Sequence, residues 1–405
     1  MSAPPETTFM PPQEERRALI VLLTVIFLMI AGFGLVIPLL PFFARAFDAP
    51  AWQVTLLFSA FSVGQFIGEP IWGKLSDRIG RRPVLIGTIA AVGLTYAALA
   101  FAPNIGWAFA IRFVNGIFAG NISTLQGAMA DITPPEKRAG RMGIMGAAFS
   151  AGFTAGPFLG GVLAQPSRGA LGFQLPLLVA AAFAIASMLA VVFLVRETRP
   201  DDAQPRKAVK TARLREGFAD PIIGRVMMIS FIVVIGFAGI EATYGLWTEA
   251  RFGWGPREIG VAFMVVSVLG AVFQGWLTGK LARRFGEART LTGGLVFMLI
   301  GISIQGLAPT WPVAMLGFVF VCLGQSICFP NISALISRAA PPDRQGEMMG
   351  LNMSSMALGR IGGPVVAGAL FSRVDVGAPF AFSALLILPA LWFAFMVVRR
   401  TPKLA

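Results

Sequence analysis

The chain has 405 residues, of which 56% are hydrophobic and only 13% charged, with a mean hydropathy of +0.74. A soluble domain carries roughly 25% charged residues, so a water-facing globular fold is excluded. Lys and Arg number 33 against 20 Asp and Glu, a net charge of +13; in a soluble protein that excess would suggest nucleic acid, but here membrane topology explains it and no nucleic-acid partner is expected.

Residues 1–15 are polar and proline-rich, read as a short cytoplasmic tail; the apolar run that follows lacks the small-residue cleavage site of a signal peptide. Apolar stretches long enough to cross a ~30 Å hydrocarbon core then recur at 17–44, 53–73, 83–102, 105–128, 138–164 and 175–195, and again at 222–248, 257–279, 288–307, 311–336, 346–371 and 378–398. They do not alternate as barrel strands would, and helices are the other way to satisfy a backbone in lipid. The expected fold is an all-α membrane protein of 12 transmembrane helices. Arg45, Arg168, Arg251, Arg257 and Arg373 fall on outer segments and Arg112 and Arg360 inside spans; the other basic residues lie on the inner side if the N-terminus does. That bias predicts both termini in the cytoplasm of a bacterial-type inner membrane.

Residues 196–220 form a polar, basic stretch, including Arg206, Lys207, Lys210, Arg213 and Arg215, read as a cytoplasmic linker able to touch anionic lipid. It divides the chain into 1–195 and 221–405. Asp220-Pro221 supplies a helix N-cap and a proline at the first helical position. The two sides echo each other: Gly73-Lys74-Leu75 returns as Gly279-Lys280-Leu281, Gly156-Pro157 as Gly363-Pro364, Pro134-Pro135-Glu136 as Pro341-Pro342-Asp343, and Asn121-Ile122-Ser123 as Asn331-Ile332-Ser333. Such repetition implies two pseudo-symmetric six-helix bundles with a substrate site between them near mid-membrane.

The motifs follow the chain. After span two comes Gly73-Lys74-Leu75-Ser76-Asp77-Arg78-Ile79-Gly80-Arg81-Arg82-Pro83, a predicted loop in which Asp77 stands among cations. It can pair with those arginines and face the positive end of a helix from the other half, making a latch, or the loop can simply fix topology. Arg112 lies within span four, where an arginine is costly and should face a cavity or partner, or tie helices together. Thr133 and Glu136 have capping-box spacing. Gly152, Gly156, Pro157 and Gly160 in span five allow close packing and a kink. Glu241, in span seven, is the acidic residue deepest in apolar helix; it could carry a reversible proton, pack as a neutral hydrogen-bonded group, or bind substrate directly. Glu69 is read as part of an inner gate and Glu249 as a solvated rim charge.

The segment 73–83 resembles the signature loop of the major facilitator superfamily, with Gly279 to Gly286 as a degenerate copy. Arg112 matches an arginine implicated there in proton coupling, and 152–161 is similar to the motif of the 12-helix drug:proton antiporter branch. Gly34 to Pro41, Ala130 to Arg138 and Thr248 to Trp254 are similar to tetracycline-resistance efflux proteins. Those proteins carry buried aspartates where this chain has Met29 and Thr95, a departure that puts tetracycline in doubt.

Gln65, Asn115, Asn121, Gln126, Gln325, Asn331 and Arg360 are candidates to line a substrate cavity among 35 Phe and 17 Met, a setting suited to lipophilic or amphipathic cargo. Cys322 and Cys328, six residues apart on one helix, are too distant for a disulfide. Histidine is absent, and no metal, nucleotide or other cofactor is expected. The combined reading is a monomeric, proton-driven exporter of a drug-like small molecule, without enzymatic chemistry. An uncoupled transporter of a lipid or metabolite is the alternative, and a non-transporting membrane sensor the more distant one.

Overall fold

The computed structural model describes residues 12–199, 220–341 and 344–400. The first helix, α1 (Pro12–Val36), passes through a 3-10 turn (Ile37–Leu39) into a last helical piece (Leu40–Arg45); Pro38 and Pro41 lack the N–H groups that an unbroken helix would use. The next helices are α2 (Ala51–Ile79), α3 (Arg81–Ala100), α4 (Ile105–Ala119, continued by Ile122–Asp131), α5 (Arg138–Leu163) and α6 (Gln174–Leu194). After the expected linker come α7 (Pro221–Phe252), α8 (Pro256–Phe273, continued through a π turn to Gly279–Phe285), α9 (Glu287–Leu307), α10 (Trp311–Ala339), α11 (Gln345–Arg373) and α12 (Ala378–Arg400).

Among the described residues there is no strand, and eleven helices are long and apolar enough to cross a membrane. The twelfth, α11, is equally long at 29 residues but carries Asn352, Ser354, Ser355 and Arg360. It packs between α7 of its own half and α2 of the other, so much of its surface meets protein rather than lipid. The molecule is an all-α membrane protein. Most of the expected tail and of the linker 196–220 lies outside the described residues.

Three local expectations are corrected. The predicted loop after the second span is mostly helix: α2 runs on to Ile79, and Gly80 alone separates it from α3. Gly80 makes the reversal at φ 106, a conformation that side chains rarely adopt. The fourth span breaks at Gly120 and Asn121. Thr133 does not form the anticipated capping box; its hydroxyl donates back to the Met129 carbonyl at 2.6 Å. Asp220 does cap α7, accepting from the Ile222 and Ile223 amides at 2.8 and 2.9 Å.

Packing repeats between the halves. In the first, α1 lies on α5 and α6, α3 on α4 and α6, and α2 on α4; six helices on, α7 lies on α11 and α12, α9 on α10 and α12, and α8 on α10. The halves meet through two equivalent pairs, α5 with α8 and α2 with α11. Both pairs close at the end of the molecule opposite the turn at Gly80. There Gly161 and Gly260 let α5 and α8 touch: a Cβ on either would stand 2.5 Å from a carbonyl oxygen across the interface. Gly368 lies against Thr55, and Arg45 approaches Glu249 at 3.9 Å with both side chains well exposed.

Towards the Gly80 end the halves diverge. Ser59 on α2 still donates to the Ile361 carbonyl of α11 at 2.8 Å. On the same stripe of α2, Thr55 is 0% and Ser59 4% exposed, yet Phe66, about two turns beyond Ser59, is 41% exposed. Helical periodicity puts these residues on neighbouring faces, so α11 has moved away by that level. We expect Thr55→Cys with Gly368→Cys, made with Cys322→Ser and Cys328→Ser, to form an intramolecular disulfide on mild oxidation. A Cys pair at Ile79 and Phe285, at the open end, should not; gel mobility after protease cleavage between the halves reads both outcomes.

Candidate functional site

Between the halves lies a cavity of about 510 Å³. Its walls are mainly Phe, Met and aliphatic side chains, and the polar groups reaching it include Gln65, Arg112, Asn121, Glu241, Gln325 and Arg360. This volume falls within the ~300–1,000 Å³ of small-molecule sites.

Arg112 is placed by the way α4 lies on α2. Gly64 and Gly68 on α2 meet Gly116 and Gly120 on α4 so closely that any Cβ would collide with backbone. This approach sets the Arg112 guanidinium 4.4 Å above the Phe61 ring, a cation–π arrangement strengthened by desolvation. Arg112 is 1% exposed, and its Nη1 donates to Asn115 Oδ1 at 3.1 Å. Asn115 Nδ2 in turn donates to Thr95 Oγ1 at 2.7 Å. Asn115 therefore stands behind the arginine and holds it, while the cavity meets the arginine itself. Thr95 and Met29, at the positions where aspartates were expected from the resemblance, respectively complete this chain and line the cavity.

Across the cavity, Glu241 of α7 and Arg360 of α11 attract one another without closing to salt-bridge distance; Glu69, on α2, also feels Arg360. Gln65, Asn121 and Gln325 line the space with them, Asn121 also donating to Thr88 Oγ1 at 2.9 Å. Gln126 and Asn331 are not among its lining. Gln126 is on an exposed face of α4, and Asn331 is buried with its Nδ2 donating to the Ile327 carbonyl at 2.7 Å. Gln274, within the π turn of α8, joins the lining; widened turns of this kind re-aim side chains inside otherwise regular helices. Gly152, Gly156 and Gly160 face α1, where added Cβ atoms would meet backbone from Phe27 to Leu35, and the Pro157 carbonyl faces Gly260 of α8. They set helix approach rather than contact cargo.

At the Gly80 end, Arg81 is the hub. Its guanidinium pairs with Asp77 at 2.7 Å and Asp131 at 3.1 Å, and donates to Ser76 Oγ at 2.6 Å. Asp77 is thus engaged within its own half in this conformation. Glu197, just past α6, accepts from the Arg81 and Arg82 amides at 2.8 and 3.1 Å, so a carboxylate distant in sequence caps the positive end of α3. A Cβ at Gly80 would collide with that carboxylate. Arg82 donates to the Val192 carbonyl and Arg199 to that of Arg78, each at 2.6 Å. The first residues of the expected linker therefore stitch α6 to the turn. In the second half the corresponding ion pair is inverted: Glu287 opens α9 and pairs with Arg338 at the end of α10 at 2.7 Å.

Sequence reading missed Asp131 and Glu197 as members of these networks. The signal available for Asp131 was its repeat partner: Arg81 and Asp131 sit where Glu287 and Arg338 sit one repeat later.

A family model described as the Major Facilitator Superfamily matches residues 22–278 and 226–405. The class C tetracycline resistance protein of Escherichia coli is 30% identical over 349 residues, which cover 84% of this chain and 86% of that protein. The quinolone resistance protein NorA of Staphylococcus aureus is 27% identical over 360 residues, covering 87% of this chain and 89% of NorA. Among solved structures, a bacterial homolog of the human lysosomal transporter Spinster, inward-facing and occupied, matches with a TM-score of 0.80 at 16% identity, over 97% of this chain and 98% of that one.

Asp131→Ala should destabilise the protein by about 2 kcal/mol, between the exposed and buried limits for ion pairs. Glu287→Ala, whose partner Arg338 is largely exposed, should cost less than about 1 kcal/mol. Thermal unfolding of the detergent-solubilised protein compares them.

Proposed function

The chain belongs to the Major Facilitator Superfamily, and from that membership we propose that it exports a lipophilic or amphipathic small molecule in exchange for protons. It is a multi-pass membrane transporter with drug-efflux relatives, not an enzyme. The observation that carries the finer reading is the cavity itself: an apolar space between two halves, closed at one end, with Arg112, Glu241 and Arg360 on its walls.

The basic character of the Gly80 end favours a cytoplasmic location in a bacterial-type inner membrane, with both termini on that side. In that orientation the cavity of this conformation opens to the cytoplasm. Cargo enters between the diverging α2 and α11. Rocking the halves about the cavity then closes the Gly80 end and opens the other. Gly73, Asp77, Arg78, Gly80, Arg81 and Arg82 form the gate, whose ion pairs with Asp131 hold α2, α3 and α4 as one rigid piece. Glu241 serves as the proton site, since a carboxylate that meets both the cavity and Arg360 can exchange a proton with whichever side is open. Arg112 supplies a fixed positive charge that couples proton and cargo. The proton gradient is the energy source, the working unit is a monomer, and the linker 196–220 lies at the cytoplasmic membrane surface.

Met29 and Thr95, in place of membrane aspartates, favour a second reading in which transport is uncoupled. Inverted membrane vesicles from an efflux-deficient host, assayed with a lipophilic dye to which the protein confers protection, separate the two. Coupled export is expected to vanish when the pH gradient is collapsed, and Glu241→Gln should reduce gradient-driven uptake to the level of empty vesicles while leaving dye binding intact. Flux that survives both treatments supports the uncoupled transporter instead.

A further inference from the structure

The charges on the cavity wall are unevenly compensated. Arg360 has two carboxylates within electrostatic reach, Glu241 and Glu69. Arg112 has the Tyr96 phenol as an electrostatic neighbour, and among the described residues no carboxylate lies within salt-bridge distance of it. A guanidinium offers five N–H donors. Here Nη1 reaches Asn115, while Nε is buried with no hydrogen-bond partner. A cation that is 1% exposed, with an orphaned donor and no carboxylate at that distance, is an incomplete site: burial without a partner is unfavourable unless an anion arrives.

The surroundings say what the rest of such a ligand is like. Phe61 lies under the guanidinium, Phe33 lies 5.1 Å from Phe61, and Phe153 is 5.9 Å from Phe33, centroid to centroid. These rings form a continuous aromatic wall leading away from Arg112 and belong to the cavity lining.

We propose that the cargo is a monoanionic amphiphile, a carboxylate or equivalent acid group seated on Arg112 with its apolar body against the Phe61, Phe33 and Phe153 wall. This rests on the export reading and narrows its substrate class. The preference is opposite to that of a cavity dominated by carboxylates, which would concentrate lipophilic cations. Asn115, itself bonded to Thr95 Oγ1, fixes the guanidinium through Nη1, and a fork held in this way suits two-point hydrogen bonding to an acid group.

The test uses three probes that share one apolar body: 4-(1-pyrenyl)butyrate, 4-(1-pyrenyl)butanol and 4-(1-pyrenyl)butylamine, titrated against the purified full-length protein. The carboxylate is expected to bind at least about tenfold tighter than the alcohol, as hydrogen bonds to a charged group imply, with the amine weakest. Arg112→Gln should bring the carboxylate down to the alcohol's affinity, with thermal unfolding of the purified variant showing that it is folded; Arg112→Lys should keep part of the preference. Equal or tighter binding of the amine, or a carboxylate preference that survives Arg112→Gln, overturns the proposal and leaves lipophile export standing. Binding of none of the three overturns the cavity as a lipophile site and this proposal with it.

Discussion

An ionisable side chain inside hydrocarbon must find a partner or a polar space, because leaving it in lipid costs about 2.5 kcal/mol or more at mid-helix. In this chain that constraint organises the molecule from the inside. Arg112, Glu241 and Arg360 come from three helices, and all turn to one cavity. The constraint also explains why α11 is the least apolar of the long helices: it borders α2 and the cavity and carries Arg360. Hydropathy falls where a helix faces protein, so α11 fails a composition threshold while retaining the length to span.

The two halves reach the same helix arrangement with different chemistry at the Gly80 end. In the first half a buried arginine is held by two aspartates and a serine, and a distant glutamate caps the following helix. In the second, the ion pair is reversed and more exposed, and Gly286 makes the equivalent turn with no atom near enough to crowd a side chain. The first half is therefore the more rigid at this end. Contacts between the halves are instead dominated at the other end by glycine-mediated backbone approach, through Gly161, Gly260 and Gly368. Such contacts depend on shape and few hydrogen bonds, so they can separate without stranding many polar groups.

Much of this architecture was legible in the sequence because its signals are local. Span positions follow from runs of apolar residues, and the α7 start follows from Asp220 and Pro221. The internal repeat predicts equivalent packing roles for Gly156 and Gly363, and a Cβ on either would meet backbone of the first helix of its own half. What escaped were pairings between residues far apart in the chain. Glu197 caps α3 across 116 positions, and no local pattern announces that. The helical continuation of α2 through Asp77 was hidden because glycine and charge read as loop, whereas Asp77 and Arg81 pair one helical turn apart across Gly80. Gln126 and Asn331 illustrate the opposite failure: a polar residue in an apolar span suggests a cavity, but the outward face of a helix or its own backbone can satisfy it as well.

In the proposed export cycle the halves rock about the cavity, exchanging closure at one end for closure at the other. Spin-label distances in lipid nanodiscs test it most directly, with Ile79→Cys and Phe285→Cys reporting the Gly80 end and Trp52→Cys and Val374→Cys reporting the other, in a background free of native cysteines. On adding a transported ligand or changing pH, the expected result is a shorter first distance accompanied by a longer second one. Two distances that shorten together, or a pair of which neither responds to any ligand or pH, would contradict the account.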